Sequence, residues 1–343
     1  MAEIRKHSAT ATCRTSCSPR PAQLIAGMAI VLFPLWAQAI EFKNPDGYIA
    51  VDLKVEGTDK AVADGTLELK LETKREQKVK ARADVELNYN DRELVIEALE
   101  IDYRVDKKNR WIAGISKKII GLEYEYGKRH RLTVRRSPLY DKMAEQGLVG
   151  RQYSLAWDRK LKRKVHVVST VGGDNGRNFN GMLSMQKKTK RSGAGAWYLL
   201  EAHRINQENI PVFVQSYACW YRPSQGGVVL ELFHGIDAGR TEYEKMFGTR
   251  RTVHFTGAKF EISTNHYLGN QIVLTPLFQS TFWMDDLGHT DENTLQFLLG
   301  LNLSRGPLRF AMNVETVGAK LPGQDNERKF NRTNGYVEFT FFF

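Results

Sequence analysis

From Ile49 onward the chain alternates. Ile49, Val51, Leu53 and Val55 are apolar, and Ala50, Asp52, Lys54 and Glu56 fill the places between and after them. Leu67, Leu69 and Leu71 repeat the pattern against Glu68, Lys70 and Glu72. Val79, Ala81, Ala83, Val85, Leu87 and Tyr89 then alternate with Lys78, Lys80, Arg82, Asp84, Glu86 and Asn88. A period of two belongs to a strand with one greasy and one wet face, not to the 3.6-residue stripe of a helix. The rhythm recurs through 93–105, 109–118, 148–158, 163–172, 180–190, 195–206, 211–222, 227–237, 250–262, 269–284, 293–304, 306–317 and 334–343, giving 16 strand candidates in all. Turn signals such as Gly172-Gly173-Asp174, Gly269-Asn270 and Ser304-Arg305-Gly306-Pro307 separate them.

Sixteen amphipathic strands in series have two ways to bury their apolar face. A soluble sandwich points it into one core, whose volume limits the number of strands. A closed barrel points it outward to lipid and keeps a wet interior, with no edge left unpaired. The absence of an interdomain linker favours the barrel. A mean hydropathy of −0.43 with 26% charged residues argues against a polytopic helical membrane protein, and 42% apolar content argues against disorder. The expected fold is therefore all-β: a transmembrane antiparallel β-barrel of about 16 strands, each ~10 residues long. The last strand carries Val337, Phe339, Phe341 and a terminal Phe343. This ending resembles the C-terminal signal that bacterial outer-membrane barrels present to their assembly machinery, which makes Phe339, Phe341 and Phe343 the expected assembly signal.

The N-terminus reads as an export signal. Arg5, Lys6, Arg14 and Arg20 precede an apolar run from Leu24 to Trp36, and Ala37-Gln38-Ala39 follows it. That run is short of the ~20 residues that span a bilayer as a helix and contains Pro34. Residues 1–39 are thus expected to be a signal peptide and 40–343 the barrel domain. Cys13 and Cys17 would leave with the signal, so the exported part holds Cys219 alone and is not braced by an internal disulfide.

Charge is unevenly distributed. The chain carries a formal net charge of +11, and between Lys107 and Lys164 there are 17 Lys or Arg against five acids. Inside that segment, Gly121 to Gly147 breaks the strand rhythm. It is too long for a tight turn, and in a wide barrel such a connection is expected to fold inward and narrow the pore. Fixed charge lowers the cost of an ion of opposite sign in a water-filled pore through lipid, and rings of Lys and Arg line anion pores. Lys78, Lys80 and Arg82 share the polar face of one strand candidate. Lys117, Lys118, Lys128, Arg129, Arg131, Arg135 and Arg136 crowd the inward loop. These ten are the anion-pathway candidates. The alternative for each is contact with lipopolysaccharide phosphates, exposure to solvent, or pairing with Glu68, Glu72, Asp84 and Glu86 across the lumen wall.

The stretch from Trp111 to Glu123 (WIAGISKKIIGLE) resembles the phosphate-selective porin O and P family. In that family a strand with Gly-x-Phe-Lys is followed by Pro-Phe-Gly-Leu-Glu, then by Glu-Arg-Ser and a strand that starts Gly-Arg. Gly114, Gly121, Leu122 and Glu123 match the first part, Ser137 after Arg135-Arg136 the second, and Gly150-Arg151 the third. Ile119-Ile120 replaces Pro-Phe, and Glu68-Leu69-Lys70 stands where many members carry an arginine pair. The resemblance covers about 75–160. It implies a 16-stranded porin, commonly a homotrimer, that passes small anions such as phosphate.

The expected function is an outer-membrane, anion-biased diffusion channel, with outer-membrane lipid and lipopolysaccharide, the assembly machinery and small anionic solutes as its partners. A general or carbohydrate-passing porin, a barrel enzyme and an adhesive barrel stay open as alternatives. No His-Glu-x-x-His, cysteine pair or phosphate-binding Gly-Lys-Ser/Thr loop occurs, so neither a metal nor a nucleotide cofactor is expected. His203, His234 and His254 fall on strand candidates without a ligand spacing, and export through a signal argues against nucleic acid.

Overall fold

The computed structural model describes residues 43, 45–56, 60–73, 78–90, 92–125, 131–174, 178–205, 208–222, 226–240, 251–269, 271–287, 293–320 and 329–343. The expected signal peptide, Lys128 and Arg129 lie outside them. The strands are β1 (Asp46–Glu56), β2 (Lys60–Glu72), β3 (Val79–Asn88), β4 (Glu93–Arg104), β5 (Asn109–Lys118), β6 (Gly150–Lys160), β7 (Val165–Asp174), β8 (Asn178–Lys188) and β9 (Ser192–Ile205). They continue with β10 (Glu208–Tyr221), β11 (Gly226–Arg240), β12 (Arg251–Thr264), β13 (His266–Leu268), β14 (Ile272–Met284), β15 (Asn293–Arg305), β16 (Leu308–Lys320) and β17 (Lys329–Phe342). Two helices, α1 (Leu122–Glu125) and α2 (Pro138–Glu145), lie between β5 and β6.

Every strand pairs antiparallel with its neighbours in sequence, and β17 returns to pair with β1. β12 and β13 are one stave: Ser263 opposite Leu277 and His266 opposite Leu274 keep a single register on β14 across Asn265. The sheet is thus a closed 16-stave barrel, as the alternation predicts. At the seam Gly47 and Phe343 exchange two backbone hydrogen bonds of 3.1 Å.

The period-two pattern sorts side chains as expected on β1, where Ile49 and Val51 are 50% and 55% exposed on the outside and Ala50 is 1% exposed within. The sheet is locally irregular at two places. β4 carries Glu97 as an extra residue between the Asp84–Ala98 and Val85–Ile96 pairs, a bulge that bends the wall. On β5, Gly114 has φ +141, and a Cβ there would run into the Leu99 carbonyl oxygen, so only glycine allows β4 and β5 to approach.

The two ends differ in their longest connections. At the end that holds the termini, the strands join through short turns such as 105–108, 189–191 and 306–307. The other end holds the longer connections, including 241–250, 285–292, 321–328 and the 119–149 segment between β5 and β6.

Candidate functional site

The 119–149 connection folds into the barrel, as expected. Its path is set by three buried polar nodes. At the first, the Glu123 carboxylate accepts hydrogen bonds from the Ser137 N–H (2.7 Å), the Ser137 hydroxyl (2.8 Å) and the Lys259 ammonium on β12 (2.8 Å). Burial alone would raise the Glu123 carboxyl; Lys259 and the two Ser137 donors outweigh it and hold the group below the usual carboxylate range. At the second, Glu231 on β11 accepts from the Leu122 N–H and from the Tyr140 hydroxyl at 3.2 Å. Gly121 sits against this node with φ +90, and a Cβ would strike both the Glu231 carboxylate and the Tyr140 hydroxyl. At the third, the Lys118 ammonium donates to Glu201 on β9 at 3.0 Å and to the Gly147 carbonyl at 2.6 Å, tying both ends of the loop to the wall.

Between these nodes the loop packs as a small core. Ser137 takes the N-cap position of α2 and Pro138 its first turn, which suits a residue without an N–H. Leu139, Tyr140 and Met143 form the buried face of α2. They join Ile120, Leu122 and Leu148 against inward residues of β9 to β14: Trp197, Leu199, Val212, Val214, Phe233, Phe255 and Trp283. Further on, the loop reaches β15 and β16, where Asn302 donates to the Leu132 carbonyl (2.8 Å), Arg309 to the Arg131 carbonyl (2.8 Å), and the Val134 N–H donates to Asn313 (2.6 Å). The loop therefore covers the inner face of one half of the wall.

The other half stays open. A cavity of about 1030 Å³ runs along β1 to β8, closed on its far side by Tyr124, Glu125 and Arg136 of the loop and by Trp197 and Phe342. Eight Lys or Arg and nine Asp or Glu line it. Most of these charges are paired. Arg110 bridges Asp158 (2.7 Å) and Asp102 (3.1 Å), Arg82 holds Asp84 (2.9 Å), Lys43 meets Glu72 (2.9 Å), and Lys80 shares that same Glu72. Lys70 pairs with Glu68 at 2.6 Å, Lys117 with Glu97, and Lys188 with Glu125. Arg136 differs: it stacks over the Tyr124 ring at 4.5 Å and, among the described residues, has no carboxylate within ion-pair distance.

The anion-pathway candidates thus divide. Lys80, Arg82, Lys117 and Arg136 line the cavity. Lys118 does not; it is 2% exposed and holds the loop in place. Arg131 turns its guanidinium back onto the Thr133 and Val134 carbonyls (3.1 and 3.0 Å), and Arg135 lies over the Tyr336 ring at 5.5 Å. Lys78 is exposed in the turn before β3. Of the motif residues, Gly121, Leu122, Glu123 and Ser137 converge on the loop nodes. Gly114 and Gly150 lie on β5 and β6, and Arg151 pairs with Glu97 at 2.7 Å. Phe339, Phe341 and Phe343 are on the outer face, 50%, 39% and 40% exposed. His234 and His254 lie on neighbouring strands with ring centroids 5.9 Å apart, and the side chain of His203 falls outside the described residues.

Sequence reasoning missed the covered wall. By sequence, aromatics near strand ends fit an interfacial girdle or ordinary packing equally well; Tyr48, Trp197, Trp220 and Trp283 point inward and are buried. The signal was present in Trp197-Tyr198-Leu199-Leu200 and Pro211-Val212-Phe213-Val214, where apolar residues run on without alternating, as in a strand buried on both faces.

No family model matches the sequence, and no curated protein sequence matches it. Solved structures do. An anion-selective porin from Comamonas acidovorans is 9% identical with a TM-score of 0.63, over 89% of this chain and 100% of that chain. The outer-membrane channel DcaP of Acinetobacter baumannii is 9% identical with a TM-score of 0.62, over 88% and 98%. OmpT, an outer-membrane protein of Vibrio cholerae in its trimer form, is 9% identical with a TM-score of 0.61, over 89% and 100%. The closed barrel with a wet interior is the fold of the bacterial outer-membrane porins.

Proposed function

We propose that this chain is an outer-membrane porin: a diffusion channel that passes small solutes through the cavity between the loop and β1 to β8, with a bias toward anions and phosphate among its solutes. The bias rests on Arg136. The lining as a whole carries one more carboxylate than cations, but the other lining cations are tied up in ion pairs, whereas Arg136, on the loop, has no carboxylate within ion-pair distance among the described residues. A guanidinium not engaged in an ion pair is open to an anion, and its planar fork suits phosphate or carboxylate. On this reading residues 1–39 are removed on export, Phe343 contributes to recognition by the assembly machinery, and the porin is a homotrimer, as one structural neighbour is a trimer.

The near balance of eight cations and nine carboxylates, with Tyr48, Tyr124 and Phe342 beside them, favours a second reading: a channel for neutral or zwitterionic polar solutes such as carbohydrates. Reversal potential in a KCl gradient across a planar bilayer separates the two. Anion preference supports the first reading and a potential near zero the second. Cation preference overturns the anion bias.

A further inference from the structure

The barrel's outer face changes character abruptly at the termini end of β5 to β8. Above that line Leu155, Leu183 and Met185 are 45%, 44% and 51% exposed, and Ile101 on the adjoining β4 is 53% exposed, an apolar surface made for acyl chains. At the line, Trp111 and Trp157 face each other across β5 and β6 with ring centroids 6.4 Å apart, and the Arg159 guanidinium lies over the Trp157 ring at 5.7 Å. Lys187, two residues beyond Met185 on β8, shares the outward face, and β7 runs between Arg159 and Lys187. Just below, the turn from β6 to β7 carries Lys162, Arg163 and Lys164, all exposed. Among the described residues, none of these five cations has a carboxylate within ion-pair distance.

Basic residues also stand in other turns at this end, Lys107 and Lys108 in 105–108 and Lys190 and Arg191 in 189–191. What sets the β6–β7 turn apart is its backbone: Arg163 and Lys164 both hold positive φ, 59° and 62°, a region that favours Gly or Asn. Cationic side chains stand there although the turn would form more easily without them.

We propose that the β5–β8 sector binds the headgroup of an anionic phospholipid in the leaflet next to the short-turn end, which in barrels of this type is the periplasmic one. Arg159 and Lys187 would hold the phosphate from either side of β7, the 162–164 turn would supply field from below, and the Trp pair would seat the glycerol region at the interface. A soluble acidic polymer would use the cations but leave the adjoining apolar strip and ring pair without a role. The inference rests on the membrane placement proposed above.

Tryptophan fluorescence reports the site, because Trp197, Trp220 and Trp283 are buried inside the barrel whereas Trp111 is 43% exposed outside. The full-length exported protein is inserted into phosphatidylcholine vesicles with a minority of phosphatidylglycerol, the acyl chains of one or the other lipid being brominated. Quenching by brominated phosphatidylglycerol should exceed its mole fraction by about fivefold, the factor one cation supplies near an anionic surface. R159Q/K187Q should abolish the excess while leaving the heat-modifiable folded band intact. Quenching that follows mole fraction in the wild type overturns the proposal. So does a folded, inserted barrel quenched by neither lipid, since a second copy would then cover this face, and so does loss of the excess to millimolar polyglutamate, which would mark a soluble acidic partner. Failure to insert at all, read from the missing folded band, is instead a failure of the membrane placement.

Discussion

β3 and β11 stand on opposite sides of the loop. β3 presents Lys80, Arg82 and Asp84 to the interior, all beside the open cavity. β11 presents Val229, Glu231 and Phe233, all buried under the loop. The two strands have the same pleat and the same alternation, so strand geometry does not decide which half stays open. What decides is whether the inward side chains have a partner to pack on. Where the loop supplies Ile120, Leu122, Leu139 and Met143, the wall becomes half of a dry core; where it supplies only Tyr124, Glu125 and Arg136, the wall stays wet and its charges pair with one another.

Breaking the anchor of the covered half should give the largest effect. Lys259→Met leaves the Glu123 carboxylate buried beside Glu231 and Glu261 without its ammonium partner, and losing one side of a buried pair costs roughly 3–5 kcal/mol. The loop should detach, seen as a lower urea midpoint and a larger, noisier single-channel conductance. Glu123→Gln added to Lys259→Met should recover part of the loss. Acid should act like the single variant. Because the folded Glu123 carboxyl lies below its ordinary value, its contribution is present at neutral pH, erodes as pH falls below about 4.3, and is gone below the folded value. Conductance unchanged in both tests would mean that the node does not hold the loop.

A subtler comparison uses adjacent residues on β9. Leu199 is fully buried inside the barrel and Leu200 is 59% exposed outside. Leu199→Ala removes apolar contact and leaves a void in a packed core, for a cost of about 2–5 kcal/mol. Leu200→Ala loses the transfer part alone, about 1–2 kcal/mol, since a fluid acyl chain fills the gap. Equal losses in equilibrium unfolding from vesicles would show that the covered half is not packed as a core.

The barrel was legible in the sequence because alternation is local: Ile49 to Val55 reveals its two faces without knowledge of any neighbour. The loop was legible as a break in that rhythm, and Gly121, Leu122, Glu123 and Ser137 were marked by resemblance. Their joint role was not, because it depends on Lys259 and Glu231, more than 90 residues away in sequence and brought close only by closure. For the same reason a count of basic residues between Lys107 and Lys164 overstated the lumen charge. The carboxylates that neutralise part of it, such as Glu97, Asp102 and Glu201, come from β4 and β9, outside that segment.

The open half offers the finest test. Arg135 and Arg136 are neighbours in sequence but not in role: Arg135 lies on Tyr336, and Arg136 stands in the cavity wall over Tyr124. Arg136→Gln should therefore shift the reversal potential toward zero at low and high salt alike, because a charge inside the passage acts over a few ångströms with little ionic screening. Arg135→Gln should shift it less. Lys162→Gln with Lys164→Gln lies at the exposed β6–β7 turn, where salt screens the field within ~8 Å at physiological strength and ~3 Å at 1 M. That pair should move the potential slightly in dilute KCl and not at all in 1 M KCl. If the turn variant and Arg136→Gln respond to salt in the same way, the bias arises at the mouth of the barrel, and Arg136 is a spacer between loop and water rather than the filter.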